Sequence, residues 1–380
     1  MNHPPSQPEL DRLLRQATAE TPDQIGAGKV ASAIQAFAAT PKQIWYRGAF
    51  GRLHLESPDA PLITEETPFD IASVTKSLVG ATLAIQAIDE ERVSWSTPLA
   101  ELLPGWSRRD GLSQSATFLH LLNHTSGLPA WRKFYLEHPL DPDWATARKT
   151  RTTLIDAILE TPLKAPPGSR HTYSDLGYLL LALILERLFD DQPLDELAKF
   201  RIFEPLKMHS TNYISLRRRD PPLIDAVATE RCPLRGRLIC GEVHDENTNI
   251  IGGVSTHAGV FSTASDLVRF GLHLVQIDQG LPLEDPLVSR QSLHFAWSPA
   301  AGPLGSHRAG WDTPSGAHSS AGRSFPPDQS VGHLGFTGTS LWIHRPLGLV
   351  SVLLTNRVYP SRQNQAIKGA RISFQEALLS

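Results

Sequence analysis

The strand-like segments of this chain lie at its two ends, and what separates them is largely helical. Residues 30–37 and 43–50 alternate well enough to be two strands around a turn at Thr40-Pro41. Near the other end, residues 330–334, 340–344 and 349–355 read as three more strands, followed by a helix over 362–379. Strands this far apart in sequence bury a common apolar face by pairing into one sheet. The pattern therefore predicts an α+β fold, an antiparallel sheet built from both chain ends with flanking helices, plus an inserted mainly helical domain. Residues 1–94 and 250–380 are assigned to the sheet domain and 95–249 to the insertion.

Local pattern fills in the rest. Leu10, Leu13, Leu14 and Ala17 share one face, so an amphipathic helix over 9–19 opens the fold. Residues 95–170 are rich in Pro, Trp and short helical segments, of which 118–123 and 153–159 are the clearest. A strongly apolar helix spans 176–188, and another runs over 265–275 with Asp266 in its first turn. Residues 217–249 read as charged and irregular, and 302–327 as a long loop. There are no internal repeats.

Composition narrows the function classes. Of 380 residues, 41% are hydrophobic, enough for a substantial core. A net charge of -3 shows no basic excess, which argues against nucleic acid and against an anionic membrane surface. No stretch approaches a membrane span, and residues 1–23, with Glu9, Asp11, Arg12 and Arg15, hold no apolar run of signal-peptide length. A soluble cytoplasmic protein is expected, or a periplasmic one if a leader was removed from this sequence. Cys232 and Cys240 form neither a disulfide framework nor a metal-ligand spacing; a hairpin disulfide and two free thiols both fit, and a reducing cytoplasm favours the thiols.

Chemistry concentrates in Phe69-Asp70-Ile71-Ala72-Ser73-Val74-Thr75-Lys76-Ser77-Leu78. From Lys76 onward Leu78, Val79, Leu83, Ile85 and Ile88 follow helical spacing, so Ser73 sits near a helix N-terminus. Ser73 and Lys76 are three apart and project from the same face of the first turn. A serine attacks a carbonyl only when something takes its proton, and a desolvated lysine amine can do so if it is neutral. The helix N-terminus favours the negative charge that develops beside it. A Ser-x-x-Lys quartet arises by chance on the order of once in a chain this long, so partners decide the matter.

Two further segments supply them. The rigid loop Ala165-Pro166-Pro167-Gly168-Ser169 delivers His171-Thr172-Tyr173-Ser174-Asp175 to the start of the apolar helix, placing Tyr173 just before it. In His333-Leu334-Gly335-Phe336-Thr337-Gly338, glycines flank an apolar strand, so a substrate can lie along its backbone and an exposed N–H can donate to an oxyanion.

The order Ser-x-x-Lys, Tyr-Ser-Asp about a hundred residues later, and His-x-Gly near the C-terminus resembles the serine β-lactamase and penicillin-binding-protein superfamily. The resemblance is to its class C-like branch, which also holds esterases and D-amino-acid peptidases. It extends to Leu121-Leu122-Asn123-His124-Thr125-Ser126-Gly127-Leu128-Pro129, Ala165-Pro166-Pro167-Gly168, Phe203-Glu204-Pro205-Leu206, Val243-His244-Asp245-Glu246-Asn247 and Gly259-Val260-Phe261-Ser262-Thr263, and runs from about residue 9 to 376. It implies that Ser73 is the acylated nucleophile, Lys76 its proton acceptor and Tyr173 the second acid/base. His333 matches the cationic residue of the third motif, with Gly335 beside it, and the N–H groups of Ser73 and Phe336 match the oxyanion hole. No cofactor and no metal are implied.

Two departures bear on substrate. Asp175 stands where an asparagine is usual, and its charge holds the Lys76 proton more firmly; either Tyr173 takes more of the base role, or His333 and the helix dipole offset the effect. Leu334 replaces a hydroxyl residue often used to bind the carboxylate of β-lactams, and strand alternation points Thr337 elsewhere. The resemblance thus favours hydrolysis of a small ester or amide through an acyl-enzyme, with a D-amino-acid peptidase or a weak β-lactamase as the alternative. An inactive binding or regulatory protein of the same fold is the reading from another class. The expected partner is a small ester, amide or peptide substrate, and the oligomeric state is left open. His124 reads as structural in its turn, His257 as a satisfied buried histidine, and Glu242, His244, Asp245 and Glu246 as a loop held by salt bridges. Trp131, Tyr135 and Trp144 fit either an acyl pocket or packing within the helical part.

Overall fold

The computed structural model describes residues 4–380 except 107–110, 224, 317 and 318; the expectations over 1–23, 95–170, 217–249 and 302–327 fall in part outside the described residues. In chain order the strands are β1 (Ala33–Thr40), β2 (Gln43–Gly51), β3 (Phe69–Asp70), β4 (Asn212–Tyr213), β5 (Arg231–Cys232), β6 (Arg237–Leu238), β7 (Val260–Ser262), β8 (His307–Arg308), β9 (Trp311–Asp312), β10 (Ser330–Leu334), β11 (Ser340–His344) and β12 (Leu349–Thr355). The α-helices are α1 (Gln7–Ala17), α2 (Thr82–Asp89), α3 (Leu99–Leu102), α4 (Phe118–Leu122), α5 (Trp144–Glu160), α6 (Asp175–Leu188), α7 (Leu194–Ala198), α8 (Glu246–Ile250), α9 (Ala264–Gln279), α10 (Arg290–Ala296) and α11 (Ile367–Leu378).

Both chain ends meet in one seven-stranded sheet of order β2-β1-β12-β11-β10-β9-β8. The join is the antiparallel pair β1 and β12, with Ile34 opposite Thr355 and Phe37 opposite Val352. All seven residues of β12 are buried, because helices cover both faces. On one face α1 and α11 close a cluster of Leu10, Leu14, Ile34, Trp342, Leu353 and Phe374. On the other, α9 lies so close that a Cβ on Gly271 would meet Val350 at 2.5 Å. Beyond α9 the core continues into α6, whose Leu176, Leu179, Leu180, Leu181, Ile184 and Leu185 are all buried. A helix apolar on every side belongs at a centre, and it carries Asp175 at its start. Among the described residues no helix is long and apolar enough to cross a membrane.

The strands at 330–334, 340–344 and 349–355 form as expected. β1 starts at Ala33 and not at residue 30, because the Asn356 side chain accepts the N–H groups of Ser32 and Ala33 at 3.1 Å each. The segment 302–327 is not simply a loop: β8 and β9 extend the sheet edge, with Gly332 of β10 opposite Asp312. Residues 217–249 likewise contain the hairpin β5-β6 and all but the last residue of α8. Cys232 and Cys240 are free thiols, the first buried, the second with its Sγ 3.2 Å from the Ala226 carbonyl.

Candidate active site

Ser73 is set by strain in front of it and a helix behind it. Ala72 has φ of +46°, a left-handed conformation costly for a residue with a Cβ. Asp70 holds it there: one carboxylate oxygen accepts the Ala72 N–H at 2.8 Å and the other accepts the His244 N–H at 2.8 Å. Burial raises the Asp70 pKa, and those N–H donors counter it. Past Ser73 the chain enters a π-helical turn, Lys76–Ala81, that leads into α2. Lys76 is fully buried and its Nζ donates to Ser73 Oγ at 2.9 Å. The wider turn starts three residues after Ser73, and such turns are frequent at functional sites.

Tyr173 and Asp175 come from a loop zipped to the turn at 123–129. His124, at φ +58°, accepts the Ser174 N–H on Nδ1 at 2.9 Å, and its carbonyl accepts the Thr172 N–H at 2.8 Å. Ser174 Oγ donates to the Pro129 carbonyl at 2.6 Å, and Asp175 N–H to Ala130 O at 2.9 Å. His124 is thus a positioning residue, its ring 4.4 Å from that of Tyr173 between centroids. Tyr173 lies against the same pair: the Lys76 Nζ is 4.7 Å from its ring centroid, and Lys76 and Ser73 both act on its hydroxyl to lower its pKa. Asp175 Oδ1 stands 2.7 Å from Lys76 Nζ.

The electrostatics follow from burial and this ion pair. Burial is the largest influence on Lys76 and pushes its pKa down, but Asp175 and Tyr173 together outweigh it, so the amine holds its proton above the ordinary lysine range. Burial raises the Tyr173 pKa, and the Lys76 charge offsets this only in part. At neutral pH Lys76 rests as an ammonium and Tyr173 as a neutral phenol.

The third segment is locked to the first. Thr337 Oγ1 donates to the Asp70 carbonyl at 2.7 Å and Thr339 Oγ1 to the Ile71 carbonyl at 2.9 Å. Thr337 therefore points away from the cavity, as alternation requires. Gly335 has no room for a side chain: a Cβ would collide with the Ile71 carbonyl and the Thr339 hydroxyl. Among the described residues no atom accepts the backbone N–H of Ser73 or of Phe336, and both residues line the same cavity. Two free donors in one cavity beside the Ser73 hydroxyl can donate to a developing oxyanion.

His333 differs from its expected cationic role. Burial, followed by the nearby Lys76 charge, depresses its pKa to about 3, against a smaller upward pull from the Leu334 carbonyl. It is a neutral imidazole that donates from Nδ1 to that carbonyl at 2.8 Å and leaves Nε2 without a partner. Its position is behind Tyr173, packed with His307, and not on the cavity wall.

The cavity measures about 550 Å³ and is lined by Ser73, Tyr173, Asp175, Gly335 and Phe336, with Trp131 and Phe336 as exposed aromatic lips. Of the other aromatic candidates, Tyr135 is buried and Trp144 packs on Gly252; neither lines it. His257 reaches the wall but is satisfied, by Ser255 at 2.7 Å, Thr248 at 3.1 Å and Asp245 at 3.2 Å. The 242–246 segment is held by ion pairs, Glu242 with Arg237 at 2.7 Å and Glu246 with Arg362 at 2.6 Å. Sequence reasoning missed Arg357, Lys368 and Arg371, which also line the cavity.

The sequence model of the Beta-lactamase family matches residues 11–373. An N-acetylmuramyl-L-alanine amidase of Bacillus subtilis is 30% identical over 315 residues, 77% of this chain and 68% of that protein. A putative D-alanyl-D-alanine carboxypeptidase of Salmonella enteritidis is 29% identical over 80% of this chain and 72% of its own length. Among solved structures, simvastatin synthase (LovD) from Aspergillus terreus superposes with a TM-score of 0.70 at 18% identity, covering 98% of this chain and 97% of that one. The chain belongs to the beta-lactamase family of serine hydrolases.

Proposed function

We propose that the protein hydrolyses a small ester or amide by forming an acyl-enzyme on Ser73. The observation that carries this reading is the contact of Ser73 Oγ with Lys76 Nζ at 2.9 Å, with the Tyr173 ring centroid 4.7 Å from that amine, at the wall of a cavity that also holds two unclaimed N–H donors. In the reactive state Lys76 is a neutral amine. It takes the Ser73 proton as Oγ bonds to the substrate carbonyl carbon, and the carbonyl oxygen, now negative, accepts from the Ser73 and Phe336 N–H groups. Tyr173 gives its proton to the leaving oxygen or nitrogen as that bond breaks, and is resupplied from the Lys76 ammonium. A water then attacks the acyl carbon, its proton passing to the tyrosine and lysine pair, and Ser73 leaves reprotonated.

Leu334, with no hydroxyl, favours esters and simple amides over β-lactams. The amidase and carboxypeptidase among the relatives favour a second reading, cleavage of an amide in a D-amino-acid peptide. Hydrolysis of p-nitrophenyl acetate and butyrate, compared with Ser73→Ala, tests the first. Equal rates in the two proteins remove the enzyme and leave the binding-protein alternative. Labelling by a fluorescent penicillin, with hydrolysis of a D-alanyl-D-alanine peptide, separates the amide and β-lactam readings from the ester one.

A further inference from the structure

Glu230 and His244 are buried titratable residues for which the proposed chemistry has no use, and they stand next to the segments that carry the two oxyanion donors. Glu230, one residue before β5, is 2% exposed, and Arg362 clamps it: Oε1 accepts the Arg362 backbone N–H at 3.0 Å and its Nε at 2.9 Å. Glu230 Oε2 meets His244 Nε2 at 3.0 Å. Burial pushes the Glu230 carboxyl up, but the hydrogen bonds from His244 and Arg362 outweigh it and bring its pKa down to about 2. A carboxylate only accepts, so His244 Nε2 carries the proton and the imidazole is held in one orientation. Arg362 also pairs with Glu246 at 2.6 Å. Burial brings the Arg357 pKa down, and the Glu230 charge opposes this. Glu230 thus acts on Arg362, His244 and Arg357 at once.

From His244 the contacts run toward both donors. Its backbone N–H donates to Asp70 Oδ2 at 2.8 Å, and Asp70 Oδ1 accepts the N–H of Ala72, the left-handed residue directly before Ser73. Among the described residues these two N–H groups are the hydrogen-bond donors to the Asp70 carboxylate, which is 2% exposed. The His244 imidazole stacks on the Phe336 ring, 5.8 Å between centroids and 28° from parallel. Phe336 is half exposed, yet its backbone must be held still if its N–H is to meet an oxyanion. Arg357 holds it as well, donating from Nε to the Phe336 carbonyl at 2.7 Å, with the guanidinium 4.3 Å from the ring centroid.

We propose that Glu230 and His244 are positioning residues of the oxyanion hole: the Glu230 carboxylate orients the His244 imidazole, and His244 braces the Ser73 N–H through Asp70 and the Phe336 N–H through the Phe336 ring. This rests on the hydrolase reading and extends it to a carboxylate outside the cavity lining.

The test is discrimination between p-nitrophenyl butyrate and its thiono analogue, in which sulfur replaces the carbonyl oxygen. Sulfur is larger and a weaker acceptor, so two well-aimed donors favour the oxygen ester. The ratio of the two kcat/KM values does not depend on how much of the protein is folded. In the wild type it is expected to exceed the ratio for alkaline hydrolysis. In Glu230→Gln and in His244→Ala it is expected to fall about tenfold or more, through kcat, with KM for the oxygen ester moving less than about threefold. Glu242→Gln breaks the Arg237 pair in the same segment and is expected to keep the wild-type ratio. A ratio unchanged in either folded variant, an equal fall in Glu242→Gln, or a wild-type ratio no higher than that of alkaline hydrolysis overturns the proposal. If Glu230→Gln does not fold, His244→Ala decides alone. If neither ester is turned over faster than by Ser73→Ala, the hydrolase reading fails by itself. Hydrogen exchange read by mass then decides the positioning. Faster exchange of 69–75 and 335–339 in His244→Ala, and not in Glu242→Gln, supports it. Unchanged exchange of either segment in His244→Ala, or the same increase in Glu242→Gln, refutes it.

Discussion

Replacing Asp175 by Asn removes the charge that most strongly keeps the proton on Lys76. The amine is fully buried, 2.7 Å from Asp175 Oδ1 and 2.9 Å from Ser73 Oγ, so solvent does little to screen the pair. An opposite charge at such a distance is worth about 1.4–4 kcal/mol to the charged form. Without it, burial becomes the dominant influence, and at a fixed pH below its pKa the neutral amine becomes about 10–1000 times more abundant. Acylation by p-nitrophenyl butyrate, followed by the burst of p-nitrophenolate from mild acid into alkali, is the assay. The wild-type rate is expected to climb with pH through the neutral range and level off only in strong alkali. Asp175→Asn is expected to level off at lower pH and to react faster at pH 7. Stability moves the other way. In the wild type the folded lysine pKa lies above its unfolded value, so the pair's contribution is complete below about pH 10.5 and is lost as pH rises through the folded value. In the variant an unpaired buried ammonium costs about 3–5 kcal/mol at neutral pH, relieved as pH rises and the amine loses its proton. Identical pH profiles for the two proteins, or a slower variant at every pH, would refute the assignment of Lys76 as the base restrained by Asp175.

Tyr173→Phe removes the proton donor for the leaving group; it is expected to slow ethyl esters by about 10²–10⁴ while costing p-nitrophenyl esters much less, and equal losses contradict the role. Gly335→Ala forces a Cβ against the Ile71 carbonyl, so a destabilisation of about 1–3 kcal/mol with loss of turnover is expected by thermal unfolding and assay, and a wild-type melting point contradicts the packing. His124, His307 and His333 are kept neutral by burial, whereas the unfolded chain protonates them near pH 6.5. Unfolding free energy is therefore expected to fall as pH drops below about 6.5, by up to about 4 kcal/mol per pH unit for three protons. The slope eases below pH 6, where Asp312, held up to about 6 by burial, takes a proton in the folded state. Urea titrations at pH 7.5, 6.2 and 5 measure it, and a flat response contradicts the buried neutral cluster.

The strands at the C-terminal end were legible because apolar alternation and the glycines around them are local signals. The start of β1 was not, since Asn356, more than three hundred residues away, takes the N–H groups that would continue the ladder. β8 and β9, of two residues each, exist because a sheet edge was waiting for them, which no short window of sequence records. In the site, Ser73, Lys76, Tyr173 and Asp175 were readable as motif residues, and the hold of Asp175 on the Lys76 proton followed from charge alone. The charge of His333 did not, because its neutrality is a consequence of burial that only tertiary packing creates. Arg371 was hidden for the same reason: in a helix with Lys368 and Gly369 it reads as one more exposed cation, and only tertiary packing buries it, with its guanidinium on the Gly335 and Thr339 carbonyls of the turn between β10 and β11.

The most direct measurement is the intact and peptide mass of the protein quenched during turnover of p-nitrophenyl butyrate. One butyryl group is expected on the peptide containing Ser73, appearing with the burst and absent from Ser73→Ala. An adduct on any other residue, or hydrolysis by Ser73→Ala at the wild-type rate, would contradict nucleophilic catalysis by Ser73.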